Sequence, residues 1–297
     1  MSDTGIEMLS GPAFDLMLPP AHSGPVIFAS PHSGRDYPRA FLESSILDPR
    51  SLRSSEDAYV DRLIAGAPGL GVPLIAARVP RAFVDLNRAA DEFDPLAVED
   101  VGRGVTNPRV AAGLGVIPRV VANGRPIRRN RISRAEAEAR LDACWRPYHR
   151  ALAALIGATR AREGGAVLID WHSMPHEAIA HLAPGGRGAA PDVVLGDRFG
   201  AAAAPEISAA VEAAFRAAGF RVARNTPFAG AHVAQSYGRP AEGLHVVQVE
   251  LDRALYLDEA RIEPHAGFDA LRARLGPVLA ALAALEIPRG ALGLAAE

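Results

Sequence analysis

Two stretches of this chain end an apolar run in a histidine: Val26-Ile-Phe-Ala-Ser30-Pro31-His32-Ser33 and Ala166-Val-Leu-Ile-Asp170-Trp171-His172-Ser173. Each run has the length of a buried strand. Two strands that each deliver an imidazole at the C-terminal edge point to a metal centre on an α/β sheet, and so to a hydrolase. Asp170 lies two residues before His172, on the same strand face, where a carboxylate can orient the imidazole or serve a bound substrate. In open α/β sheets ligands bind outside the carboxyl ends of the strands. His32 alone, in the turn Ser-Pro-His-Ser-Gly, reads as a hydrogen-bonded structural residue; the second histidine in the same context carries the functional reading.

Catalytic zinc sites use three protein ligands and leave one position open. Cys144 is the only cysteine, so any metal is held by His and carboxylates and no intramolecular disulfide exists. Ser55-Glu56-Asp57 offers two adjacent acids at the start of an expected helix, with Asp61 a turn further on. Stabilising the helix N-terminus through its dipole is their alternative role. Arg81, Asn87 and Arg88 follow a strand and gather two guanidiniums and an amide, the equipment for gripping a carboxylate. A surface ion-pair cluster is the bland reading of them. Val246-Val-Gln-Val-Glu250-Leu-Asp252-Arg253 puts acids at the end of another apolar run. Glu250 there would be a good general base beside a metal, with ion pairing to Arg253 as the alternative. His232 and His245 are less informative, and His22, His149, His176, His181 and His265 read as structural or exposed. No P-loop or Gly-x-Ser-x-Gly elbow is present, and the glycines at 66–71 precede a strand, the wrong context for a dinucleotide fingerprint.

The elements that must position these groups are legible as patterns. Apolar runs without clean alternation occur at 26–30, 72–79, 166–170, 192–196, 220–224 and 245–251, as in strands covered on both faces. Helical patterns lie between them, at 56–66, 133–162, 205–218 and about 267–284. Ser133 with Glu136 forms a capping box, Pro147 should kink or divide the long helix, and Gly219 is a C-cap. Alternating strands and helices indicate an α/β fold with a mostly parallel sheet. The irregular segment 89–131, which holds Gly102, Gly104, Gly113, Gly115 and Gly124, reads as an elaborated loop or lid on a single domain spanning 1–297.

The 297 residues are nearly half hydrophobic, enough for a substantial core, and the net charge of −2 gives no electrostatic case for nucleic acid or a membrane surface as partner. The first twelve residues lack the basic region of a signal peptide, and no apolar run nears the roughly 18 residues that span a bilayer. A cytoplasmic protein is the default expectation; the oligomeric state is not encoded in any pattern.

The blocks Ser30-Pro-His-Ser-Gly34, Glu56-Asp-Ala-Tyr-Val-Asp61, Pro80-Arg-Ala-Phe-Val-Asp-Leu-Asn-Arg88, Gly115-Val-Ile-Pro-Arg119, Asp170-Trp-His-Ser173, Pro227-Phe-Ala-Gly230 and Glu250-Leu-Asp-Arg-Ala-Leu-Tyr256 stand in one order over about residues 25–260. Together they resemble the N-formylglutamate amidohydrolase (deformylase) family, which is related to zinc carboxypeptidases and aspartoacylase-like deacylases. The resemblance implies a three-layer αβα, phosphorylase/hydrolase-like fold with a mixed, mostly parallel sheet, and a zinc ion or another divalent transition metal such as manganese or cobalt. It implies His32 and His172 as ligands. The carboxypeptidase relatives place their acidic ligand three residues after the first histidine, and here that residue is Arg35. Asp57 matches the acid of the second block and is the implied third ligand, with Glu56 as fallback and Asp170 supporting from behind. Asn87 and Arg88 are similar to a block that grips the substrate carboxylate, and His232 is placed with them as substrate-binding. Arg81 resembles the arginine that polarises the scissile carbonyl, and Glu250 matches the catalytic glutamate. The implied reaction converts N-formyl-L-glutamate and water to formate and L-glutamate, a step of histidine degradation. Two rivals remain: a related zinc amidase or carboxypeptidase for another N-acyl amino acid or acidic peptide, and a non-catalytic binder of acidic metabolites.

Overall fold

The computed structural model of the protein describes residues 5–102, 107–182 and 190–287. Gly104 and the first four residues of the N-terminal segment considered above lie outside the described residues. Eight strands form one mixed sheet: β1 (Glu7–Ser10), β2 (Phe14–Leu18), β3 (Val26–Ser30), β4 (Leu74–Ala77), β5 (Ala166–Met174), β6 (Val193–Gly196), β7 (Val222–Arg224) and β8 (Leu244–Asp252), in the order β1-β2-β4-β3-β5-β8-β6-β7. The central four, β4-β3-β5-β8, are parallel. β2 joins one side antiparallel, and β6 joins the other side antiparallel with β7 parallel to it.

All six apolar runs are strands. Apart from the half-exposed edge strand β7, they lack alternation because both faces are covered. Val26, Phe28, Val167, Ile169, Trp171, Val247 and Val249 pack on one face against helices Pro205–Ala217 and Gly267–Ala283. Ile27, Ala29, Ile75, Leu168 and Val246 pack on the other, against the long helical stretch from Arg134 to Glu163. Helices on both faces of a sheet make a three-layer α/β arrangement. β1 and β2 were not anticipated. They sit at the sheet edge, fully or partly exposed, and have no apolar run to announce them.

The long helix follows its sequence signals closely. Ser133 Oγ accepts from the Glu136 N–H at 3.1 Å, but the Glu136 carboxylate turns to Arg140, so only half of the capping box forms. A widened π turn, Leu141–Trp145, precedes the helix Arg146–Glu163, whose second residue is Pro147. Proline lacks an N–H and its ring crowds the carbonyl four residues back, and the wider turn accommodates both. Gly219 takes a left-handed φ of +79° just past the helix that ends at Ala217.

The expected helix at 56–66 is a correction. Only Val60–Leu63 is helical, because Tyr59 adopts a left-handed φ of +65° and interrupts it. Asp57 therefore stands in irregular chain rather than in a first helical turn, and its N–H donates to the His32 carbonyl at 3.0 Å. That bond ties the acid to the first histidine. The segment 89–131 is largely irregular, with a short helix Pro108–Ala111, and it lies over the carboxyl ends of the central strands, lining the cavity described next.

Candidate metal centre

The site forms where the sheet's apolar faces end. Along β5, Asp170 and His172 continue the face of Leu168; along β8, Gln248 and Glu250 continue the face of Val246. The register pairs Asp170 with Gln248 and His172 with Glu250. The side-chain period of two thus places four polar groups side by side. β5 runs on to Met174, so His172 stands within the strand rather than after it. His32 enters from the turn after β3. Gly34 makes that turn possible: a side chain there would collide with the Val79 backbone.

His32, Asp57 and His172 are buried, and one potential ligand atom from each lies within 4.8 Å of the others. Asp57 Oδ2 faces both imidazoles, at 2.8 Å from His172 Nδ1 and 3.4 Å from His32 Nδ1. Behind each ring stands a second carboxylate. His32 Nε2 meets Asp85 Oδ1 at 2.7 Å, and His172 Nε2 meets Asp170 Oδ2 at 3.0 Å. A carboxylate behind the ring fixes the tautomer with the proton on Nε2 and turns the Nδ1 lone pair forward. Both lone pairs then point at the same carboxylate oxygen, which is repulsive unless a cation stands between them. His32 Nδ1 has no hydrogen-bond partner although it is buried.

The charge balance leads to the same conclusion. Among the described residues, two guanidiniums are ion-paired with the four carboxylates Asp57, Asp85, Asp170 and Glu250: Arg81, bound to Asp85 at 2.8 Å, and Arg253, bound to Asp57 Oδ1 at 3.0 Å. Uncompensated buried charge costs several kcal/mol per ion, and protonation relieves it when nothing else does. Burial alone lowers the pKa of His172, but Asp170, Asp57 and Glu250 outweigh it and raise it well above the ordinary imidazole range. Burial, reinforced by Asp57 and opposed by His172 and Arg253, pushes Glu250 up to about 7. Burial would raise Asp57 too, yet its hydrogen bond to His172 and the neighbouring His32 imidazole hold it well below the usual carboxylate range. A divalent ion would occupy the position that a proton on Nδ1 otherwise fills. Two imidazoles and a carboxylate suit zinc and equally manganese or cobalt. The residues fit such an ion.

The remaining expected residues divide. Glu56 is turned away: it accepts from Tyr37 at 2.7 Å and from Arg53 at 3.1 Å, so the fallback ligand is not in the cluster. Arg35 and Asp61 form a two-pronged ion pair, at 3.0 and 2.9 Å, outside it. Arg81, Arg88 and Glu250 line a cavity of about 450 Å³ that opens on the three clustered residues, the size range of small-molecule sites. Asn87 also lines it, but its amide is committed to the scaffold. Oδ1 accepts from the Val233 N–H at 2.7 Å, and Nδ2 lies 3.1 Å from His172 Nε2 and 3.4 Å from Asp170 Oδ2. With the proton on Nε2, that amide donates to Asp170, so Asn87 supports the cluster from the cavity wall. Ala231 lines the cavity, whereas the His232 ring lies among Trp145 and His149, at 5.9 and 5.4 Å.

Three contributors were missed. Asp85 stood unremarked between Arg81 and Asn87. Gln248, which donates to Glu250 Oε1 at 2.8 Å, stood two residues before it on the same strand face. Arg253 appeared as a neighbour for Glu250, and its guanidinium binds Asp57 and Ser173 instead. For Asp85 and Gln248 the available signal was a polar residue at an inward position of an otherwise apolar segment.

The N-formylglutamate amidohydrolase family pattern matches residues 24–257. An N-formylglutamate deformylase of Pseudomonas aeruginosa is 33% identical over 238 residues, 79% of this chain and 83% of that protein. One from Pseudomonas putida is 30% identical over 243 residues, 80% and 84% of the two chains. The crystal structure of an N-formylglutamate amidohydrolase from Ralstonia eutropha superposes with a TM-score of 0.83 at 35% identity, covering 91% of this chain and 97% of the other. A protein of Agrobacterium tumefaciens shares the fold at a TM-score of 0.58 and 19% identity, over 92% and 95% of the two chains. Among the described residues no helix is long and apolar enough to cross a membrane. The chain belongs to the N-formylglutamate amidohydrolase family.

Proposed function

We propose that this protein hydrolyses N-formyl-L-glutamate to formate and L-glutamate, using a divalent transition metal, zinc in the first instance, held by His32, Asp57 and His172. The observation that carries the reading is the pair of imidazoles whose Nδ1 atoms converge on one buried carboxylate oxygen while separate carboxylates hold their Nε2 atoms. A divalent ion there supplies Lewis acidity, lowering the pKa of water and polarising a carbonyl. The family relatives named above are deformylases of this substrate.

The chain's own groups supply the rest. Glu250, opposite His172 and held by Gln248, takes the proton of the attacking water and returns it to the departing amine nitrogen. A carboxylate whose pKa lies near neutrality can do both. Arg81, braced by Asp85, stabilises the oxyanion that develops on the formyl carbonyl. Arg88, buried with its Nε donating to the Leu114 carbonyl at 2.9 Å, holds the substrate's α-carboxylate and so fixes the amide in place. Asn87 steadies Asp170 and His172. The segment 89–131 acts as the lid of a single amidohydrolase domain over 1–297, and the fold is of the phosphorylase/hydrolase type with the site at the carboxyl ends of the central strands.

The test is formate release. Metal-loaded protein should liberate formate from N-formyl-L-glutamate and lose that activity in a chelator. Turnover of another N-acyl amino acid in its place would favour the related amidase, and no turnover of any would leave a binder.

A further inference from the structure

The cavity wall opposite the metal cluster carries a second arginine that the reaction above does not use. Arg109 sits on the short helix Pro108–Ala111, exposed at the cavity wall, while Arg88 is only 4% exposed. A single residue ties them together. The Leu114 N–H donates to the Arg109 carbonyl at 2.8 Å, and the Leu114 carbonyl accepts from Arg88 Nε at 2.9 Å. The helix carrying Arg109 is fixed in turn: Asn107 caps it, accepting from the Arg109 and Val110 N–H groups at 3.0 and 2.9 Å, and donates its own amide to Glu92 Oε1 at 2.5 Å.

Glu92 supports this arrangement, and its carboxylate is spent on Asn107 and on the Ala89 N–H. Among the described residues neither Arg88 nor Arg109 has an ion-pair partner. Burial first, with Arg109 and Arg81 adding to it against Asp85, lowers the pKa of Arg88, so the two guanidiniums sense each other's charge. Two unpaired cations at two depths of one cavity match a ligand with two anionic groups.

We infer that Arg109 binds the side-chain carboxylate of the substrate and thereby selects an acidic amino acid, while Arg88 binds the α-carboxylate. This rests on the deformylase reading above. The order follows from the covalent structure of an N-acyl glutamate. Its α-carboxylate is attached to the carbon that bears the amide, so it stays near the metal cluster, where Arg88 adjoins Asp85. Its γ-carboxylate lies two methylenes farther out, toward the exposed arginine.

The experiment compares kcat/KM for formate release from N-formyl-L-glutamate and its neutral isostere N-formyl-L-glutamine, using metal-loaded wild type, Arg109→Gln and Arg109→Lys. Losing a charge-assisted pair should lower the glutamate value in Arg109→Gln by roughly 10- to 100-fold, mainly through KM. The glutamine value should hold within about twofold, and Arg109→Lys should recover part of the loss. Equal losses on both substrates, or no loss on either, would overturn the assignment. If wild type releases formate from neither, the deformylase reading fails by itself. Calorimetry with glutarate and butyrate then decides the arginine's role: Arg109→Gln should abolish the preference for glutarate, and a preserved or absent preference in wild type and variant alike removes Arg109 from recognition.

Discussion

The floor and the roof of the cavity are built on opposite electrostatic plans. The floor, at the ends of β3, β5 and β8, gathers four carboxylates, two imidazoles and two guanidiniums, all but Glu250 joined by ion pairs, with negative charge in excess. The roof, from the irregular segment after β4, presents Arg88 and Arg109, which have no ion-pair partner among the described residues. A site with excess negative charge on a rigid sheet is suited to a metal ion. A site with excess positive charge on a loop is suited to an anionic substrate. An N-acyl amino acid with a free carboxylate would reach from one to the other. The contrast also separates two kinds of residue: floor groups have their orientation set by neighbours, whereas roof groups keep donors free for a ligand.

The contrast can be broken from the floor. The largest effect should come from Glu250→Gln, which keeps the shape and the Gln248 contact but removes the base. Turnover should fall by about 10²- to 10⁴-fold, while metal content measured on the same sample stays at the wild-type level. A variant with an ordinary rate takes Glu250 out of the proton transfers. Smaller losses should follow Asp85→Asn and Asp170→Asn, which spare all three proposed ligands. Each should weaken metal affinity by about 10- to 100-fold, because the amide no longer favours the proton on Nε2. Competition against a chromogenic chelator reads this directly, and unchanged affinity in both variants would mean that the rings are positioned by other contacts. Asp85→Asn should also raise KM or lower kcat through Arg81, which loses its brace, whereas Asp170→Asn leaves Arg81 untouched.

Much of this was legible in the sequence because burial on two faces writes an unbroken apolar run. The strands at 26–30 and 166–170 were marked that way, and the histidines at their ends were visible as polar residues where apolar ones should stop. The same logic hid the rest of β5. In Asp170-Trp171-His172-Ser173-Met174 Trp171 alone continues the apolar core of the opposite face while Asp170 and His172 turn to the site, so the strand looks finished where it continues. Asp57 was found through family likeness, but the helix drawn around it was wrong: a tyrosine at φ +65° is invisible to helix propensity, and it lets Asp57 reach back to the His32 carbonyl. Asp85 and Arg253 escaped because their importance lies in partners that are distant in sequence, and Gln248 because it interrupts an otherwise apolar strand beside Glu250. His32 and Asp85 are 53 residues apart, and Asp57 and Arg253 are 196 apart. Asn87 was noticed for a valid reason, an amide beside a guanidinium, but its bonds run into the scaffold.

The central claim is that His32, Asp57 and His172 hold a metal ion. Its most direct test is equilibrium titration of chelator-stripped protein with zinc, following bound metal per chain in wild type and in His172→Ala. One tightly bound ion per wild-type chain, lost in His172→Ala, is the expected result. Binding of no ion to a folded wild-type chain, or retention of the same stoichiometry and affinity by the variant, would contradict it.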